Sequence, residues 1–359
     1  MFQSPLEYLQ SFGRSNQTEI DMSNVTIVFI ESLPSSTHMG LLKVLDLVDC
    51  KGLKNHHLKY ICNHIFHLKY FSLQNTEITE LPKKIDKLQY LETLDELSLN
   101  IRGMLPNLKH LLAGYQIDYR NQDGCLSEEP FPTVQIPRCV GVMAELEVLS
   151  QVAVSGSGDV LNDIGIKPIF RHLYHAIGNL NRSLRTLSIQ IIADNKNADV
   201  DIGKEDTLLM PPKYLKKLEI SGLANGLPQW VKILRELTNI TLHKTLLTAE
   251  DIEILGDLAS LCYLLLRQES CSERILAFSN GGFESLKFLV IECSNITSIN
   301  FAHEATSKLK KIVWSSDGSE SLQSLKELKL SGNFNLERVQ QAIAANKNNP
   351  ISKTNVNQA

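Results

Sequence analysis

Apolar residues recur along this chain in one short phrase. An apolar residue is followed three positions later by two more that alternate around a single variable residue. The phrase runs through Leu42, Leu45 and Leu47, then Leu68, Phe71 and Leu73, then Leu184, Leu187 and Ile189. It continues at Leu215, Leu218 and Ile220, at Leu237, Ile240 and Leu242, and at Leu261, Leu264 and Leu266. Leu286, Leu289 and Ile291 follow, then Leu309, Ile312 and Trp314, and finally Leu325, Leu328 and Leu330. Alternation with a period of two turns the paired apolar residues to one side of a short strand and the variable residues to the other.

From Leu218 onward, successive phrases are 22, 24, 25, 23 and 16 residues apart. Four of these five intervals lie within the ~20–29-residue period of leucine-rich repeats. Between the strands lies a second apolar row, as in "ITELPKKIDKLQYL" with Ile78, Leu81, Ile85, Leu88 and Leu91. Its Leu-Pro pair ends the extended run, because proline fixes φ and donates no hydrogen bond, and starts a short turn. "LPQWVKILREL" repeats the device with Trp230. The predicted fold is an α/β repeat, a leucine-rich-repeat solenoid. A curved parallel β-sheet forms its concave face and irregular or helical turns its convex face. No repeat buries its apolar face alone, so such an array is stable only collectively.

The periodicity divides the chain. Residues 1–23 precede the pattern and are expected to be poorly ordered, and residues 24–114 form a first block of repeats. Inside that block the interval from Leu94 to Leu111 shrinks to 17, so one repeat is shortened or spliced. Residues 115–145, with three prolines and an acidic pair, are expected to be a loop or linker. Residues 146–345 form the second block, ended by an amphipathic turn in "NLERVQQAIAANKNNP", and residues 346–359 are expected to be a disordered tail.

Composition narrows the function. The chain is 43% hydrophobic and 21% charged with a net charge of −4, so no basic excess points to nucleic acid or an anionic membrane. No apolar run is long enough to span a bilayer, and the N-terminus lacks the basic start and apolar core of a secretory signal. Seven widely spaced cysteines without C-x-x-C fit reduced thiols, so the expected location is cytoplasmic. Five N-x-[ST] matches, at Asn16, Asn24, Asn181, Asn239 and Asn295, barely exceed the roughly three that chance gives.

Motifs for chemistry are missing. "DIGKEDT" has a Gly-Lys pair but neither the upstream glycine nor the following hydroxyl of a phosphate-binding loop, and neither H-E-x-x-H nor G-x-S-x-G occurs. "HHLKYICNHIFH" offers Cys62, His64 and His67 as zinc ligands, beside His56 and His57. The plainer interpretation is that Ile61, Ile65 and Leu68 carry the apolar row while the histidines between them face solvent. Asp46 and Asp49, or Glu128 and Glu129, read as solvated surface. No catalytic, cofactor-binding or metal-binding residues are assigned, and no cofactor is expected.

Recognition is the better supported role. The outward strand positions of the second block are Tyr263, Leu265 and Arg267, then Phe288, Val290 and Glu292, then Lys311, Val313 and Ser315. Large apolar and aromatic side chains with Arg, placed where solvent contact is expected, are the residue types of interface cores. Of these, Tyr263, Leu265, Arg267, Phe288, Val290, Glu292, Lys311 and Val313 are the candidate protein-binding residues. The alternative is that an insertion or neighbouring domain covers the patch.

These phrases resemble the repeat region of plant nucleotide-binding leucine-rich-repeat disease resistance proteins of the cereal coiled-coil type. "LLKVLDLVDCKGL", "LKYFSLQNTEITELPKKIDKLQYLETLD", "LPNLKHLLAG", "LRTLSIQI" and "LPQWV" carry the resemblance, over about residues 24–345. The resemblance implies a non-enzymatic domain that senses pathogen effectors or guarded host proteins and adjoins a nucleotide-binding domain in a full-length receptor. With no phosphate-binding loop here, nucleotide switching is not carried over. Two other roles fit the same fold: an intracellular scaffold or adaptor outside immunity, and the substrate-specificity domain of a ubiquitin ligase.

Overall fold

A computed structural model of the chain describes residues 42–95, 105–112, 134–135, 140–155, 167–192, 210–302, 306, 308–314, 327–331 and 351–355, apart from positions 79, 224, 225, 294 and 297. Two compact units form, one from Met1–Gln116, Pro130–Val154 and His175–Leu184, the other from Ile117–Glu129, Ser155–Tyr174 and Arg185–Ala359.

In the first unit, strands β1 (Val44–Asp46), β2 (Tyr70–Ser72), β3 (Thr93–Asp95), β4 (His110–Leu112) and β6 (Val148–Ser155) pair in that order, all parallel, with β5 (Val134–Gln135) pairing with β6. Leu45, Phe71, Leu94, Leu111 and Leu149 occupy one register line and all are buried. Each such side chain contributes about 1.5–3 kcal/mol relative to exposure. The shortened 17-residue repeat keeps this register, with Leu105 and Leu108 buried in its return.

The returns are helical. Helix α1 (Asn55–His64) buries Leu58, Ile61 and Cys62. Pro82 stands immediately before a 3-10 turn at Lys83–Lys87 whose Ile85 is buried, and Pro228 does the same for Gln229–Ile233 with Trp230 and Val231. The Leu-Pro device therefore acts as expected. Val140 and Met143, placed in the 115–145 loop by the sequence, instead fill the core of the return that precedes β6. Their three-residue spacing continues to Leu146 and Leu149, all buried. Residues 115–133 and 136–139, the rest of that loop, lie outside the described residues, as do the N-terminal segment and the expected terminal helical turn.

Helix α2 (Lys167–Asn179) buries Leu173, Ala176 and Ile177. In the second unit the main sheet runs β7 (Thr186–Ile192), β8 (Lys217–Ser221), β9 (Asn239–His243), β10 (Tyr263–Arg267), β12 (Phe288–Glu292) and β14 (Lys311–Trp314), again all parallel. Between β9 and β10 the return is helix α3 (Ala249–Gly256). Thr248 caps it, accepting from Asp251 N at 3.4 Å, while the Asp251 carboxylate accepts from Thr248 N at 2.8 Å and from Leu227 N of the previous repeat at 3.1 Å. Gly226, at φ +83°, fits beneath this carboxylate, since a Cβ there would lie 2.4 Å from Asp251 Oδ2.

Later returns depart from the expected irregular turns. Strands β11 (Ile275–Phe278), β13 (Ser298–Phe301), β15 (Glu327–Ser331) and β16 (Ile351–Asn355) make a second parallel sheet. Phe278 and Phe301 stack at 4.6 Å across it, with Phe283 edge-on to Phe278 at 4.9 Å. Two expectations are corrected. "LKELKL" does not extend the main sheet; β15 pairs with β13 of the second sheet, Leu328 in register with Ile299 29 residues earlier. Residues 351–355, expected within a disordered tail, form β16 and pair with β15 over five positions.

Candidate functional site

The outward face of the second unit's main sheet is built by register. Backbone N–H groups of Lys216 and Lys217 donate to Arg185 O, those of Thr238 and Asn239 to Lys216 O, and those of Cys262 and Tyr263 to Thr238 O. Lys287 and Phe288 donate to Cys262 O, and Lys310 to Lys287 O. These shared carbonyls align the strand starts, so each outward position forms a row across the sheet. The first row is Thr186, Lys217, Asn239, Tyr263, Phe288 and Lys311, and the second is Ser188, Glu219, Thr241, Leu265, Val290 and Val313. Gln190, Ser221, His243, Arg267 and Glu292 make the third.

The eight candidate residues therefore share three adjacent strands but not one environment. Phe288 is 40% exposed, while Tyr263, Val290 and Arg267 are half-buried. Leu265 is only 7% exposed, set between Thr241 and Val290 in its row, so it is a packing residue rather than a contact. Glu292 is buried too, and its Oε2 accepts from Arg267 Nε at 2.7 Å. It balances Arg267 instead of presenting charge. Lys311 and Val313 hold their places in β14, in register with Phe288 and Val290.

Electrostatics follow from this packing. Burial pushes the Tyr263 phenol above its usual value, with Arg267 opposing and Glu292 adding to the shift. Burial holds His243 below the usual imidazole range, against the hydrogen bond it makes to Gln268. His243 sits in a network unforeseen from the sequence: Ser221 Oγ meets Nδ1 at 2.8 Å, and Nε2 meets Gln268 Oε1 at 2.6 Å. The tautomer with hydrogen on Nε2 satisfies both contacts, Ser221 donating and Gln268 accepting. The available signal was positional, since His243 is the outward residue in register with Arg267.

The histidine-rich helix resolves as structure. His57 is buried, and its Nδ1 accepts from Lys54 N at 2.9 Å, taking the place a Glu holds in a capping box. His64 Nδ1 meets Tyr60 O at 2.8 Å, and His67 lies 5.0 Å from the Tyr90 ring. Cys62 is fully buried, with its thiol pushed up to about 12, first by burial and then by Asp86. Among the described residues no group of three or more His, Cys, Asp and Glu is placed to hold a metal ion. No helix among them is long and apolar enough to cross a membrane.

A family profile described as a leucine-rich repeat region matches residues 23–359. The disease resistance protein PIK6-NP of Oryza sativa subsp. japonica is 30% identical over 272 residues, covering 63% of this chain and 25% of that protein. The disease resistance protein RGA4 of the same rice is 31% identical over 307 residues, covering 79% of this chain and 28% of that protein. This chain thus spans about a quarter of the length of the curated relatives it matches. Among solved structures, the Leptospira interrogans leucine-rich-repeat protein LIC12759 is 13% identical with a TM-score of 0.44, covering 91% of this chain and 98% of its own.

Proposed function

The chain belongs to the leucine-rich repeat region family, and on that premise we propose that it is a non-enzymatic, cytoplasmic protein-recognition domain of disease-resistance type. Its relatives among rice disease resistance proteins support the biological setting, in which the partner is a pathogen effector or a guarded host protein. In a longer protein a nucleotide-binding domain would adjoin it.

One observation carries the reading: Phe288 stands exposed beside half-buried Tyr263, an aromatic pair in register on adjacent parallel strands. Exposed aromatic residues cost solvation unless a partner covers them, and aromatic anchors dominate protein interfaces. The test is affinity isolation from pathogen-challenged plant tissue with the wild-type chain and with Phe288→Glu. A pathogen protein, or a host protein retained only after challenge, should be captured by the wild type and lost by the variant. Capture of the same constitutive proteins by both would sink the reading.

A further inference from the structure

The strand starts of the two units form the same kind of row and carry opposite electrostatic solutions. In the first unit, backbone N–H groups at the strand starts likewise share the carbonyls of Lys43, Lys69, Glu92 and Lys109, leading to Glu147. There Lys69 and Lys109 are answered within the row: Lys69 pairs with Glu92, and Lys109 Nζ lies 3.7 Å from the other Glu92 oxygen. In the second unit the corresponding row is Arg185, Lys216, Thr238, Cys262, Lys287 and Lys310. The neighbouring outward row adds Lys217 and Lys311 around Asn239, Tyr263 and Phe288. No carboxylate occupies either row. Lys216, Lys217 and Lys310 are exposed and Lys287 half-buried, and no ion pair among the described residues uses any of the four. Arg185 lies 4.8 Å from the Tyr214 ring, which extends the cationic and aromatic character to β7.

We infer that these two rows bind an acidic segment of a partner protein, with an apolar side chain of that segment resting on Tyr263 and Phe288 between flanking lysines. This rests on the recognition reading above and names the chemistry of its ligand. The dimensions agree. Lys217 and Lys311 are four strand steps apart, about 19 Å at ~4.8 Å per step, which an extended segment of about six residues spans. Exposed lysines above a sheet attract carboxylates and steer their approach, while the aromatic pair supplies the desolvated anchor. A nucleic acid fits less well, because Tyr263 and Phe288 make one aromatic pair rather than a run of stacking platforms, and the chain carries a net charge of −4.

The test uses the full chain and fluorescein-labelled peptides of equal length that share two Phe residues and differ only in carrying acidic, neutral or basic residues around them. A single-stranded DNA of matching length is titrated in parallel, and binding is read by fluorescence anisotropy. The acidic peptide should bind best and weaken as salt rises. The paired change Lys217→Glu with Lys310→Glu should weaken it about tenfold or more, as should Phe288→Ala, with Lys59→Glu on α1 as the unaffected control. Equal binding of all peptides, preference for the DNA, no binding, or indifference to Lys217 and Lys310 would each overturn the inference. If affinity isolation still yields a Phe288-dependent, challenge-dependent partner in that event, the recognition reading stands without the acidic segment.

Discussion

Arg267 Nε donates to Glu292 Oε2 at 2.7 Å across β10 and β12, and it is the Glu292 side chain, 9% exposed against 27% for Arg267, that lies deeper. A carboxylate taken out of water needs its partner more than the half-exposed guanidinium does. Arg267→Ala should therefore cost about 3 kcal/mol, the lower end for breaking a buried pair, by leaving Glu292 uncompensated. Adding Glu292→Gln should recover much of that loss. Urea denaturation of both variants checks this, and equal stability of Arg267→Ala and wild type would show that the pair contributes nothing.

Leu265 and Phe288 are both outward residues in the alternation, but only one is available to a partner. Leu265→Glu should destabilise the second unit by several kcal/mol, because it buries an unpaired carboxylate. Phe288→Glu should change stability by less than about 1 kcal/mol, in line with an exposed position. Thermal melts followed by circular dichroism separate the two. A melt of Leu265→Glu indistinguishable from that of Phe288→Glu would return Leu265 to the surface.

This pair also marks where the sequence stops being legible. Inward strand positions admit little but apolar side chains, so the line from Leu45 through Leu149 and the line from Leu187 through Leu289 could be read from spacing alone. Outward burial depends on side chains from neighbouring repeats, 22–25 residues away, which no local pattern encodes. The polar stretch "ISKTN" gave no sign of β16, whose pairing rests on backbone hydrogen bonds to β15. In contrast, "ILAF" and "SINF" do alternate, with Leu276, Phe278, Ile299 and Phe301 all buried, so the second sheet left a period-two trace. The basic strand-start rows left one as well, visible only once the residues preceding each phrase are aligned across repeats.

Asp251 serves two repeats at once, closing the N-terminus of α3 and accepting from Leu227 N. Asp251→Ala removes the reciprocal cap and orphans a buried donor, and should cost about 2–3 kcal/mol. Gly226→Ala should also destabilise, since the new Cβ meets the same carboxylate at a positive φ. In the double variant the steric part of the Gly226 penalty should shrink, a non-additivity that urea titration of the single and double variants would reveal. Strict additivity would mean that the carboxylate does not occupy that space.

Cys62 should be inert in the folded chain. It is fully buried with its thiol pushed up to about 12, so almost no thiolate exists for alkylation near neutral pH. Among the described cysteines, Cys262, half-buried at a strand start, should react with iodoacetamide first, and Cys62 only as the first unit unfolds in urea. Mass spectrometry of the labelled peptides reads the order. Labelling of Cys62 at the rate of Cys262 without denaturant would contradict the packing of α1.

Asp95 makes the first unit's stability depend on pH. It is buried on the outward side of β3, and burial foremost, with Asp46 adding, raises its carboxyl above the usual range despite the 2.6 Å bond from Gln74 Nε2. The raised folded value means that the native state holds its proton more tightly than the unfolded chain. The resulting stability is fully present below the ordinary carboxylate value and is lost as pH rises through the raised one. At neutral pH the group is therefore a burden. Asp95→Asn keeps an oxygen to accept from Gln74 and removes the charge, so it should raise the urea midpoint at neutral pH and flatten the part of the profile just above the ordinary carboxylate range. A variant less stable than wild type at neutral pH, with the slope unchanged, would show that the ionised carboxylate is stabilised by Gln74 more than it is penalised by burial.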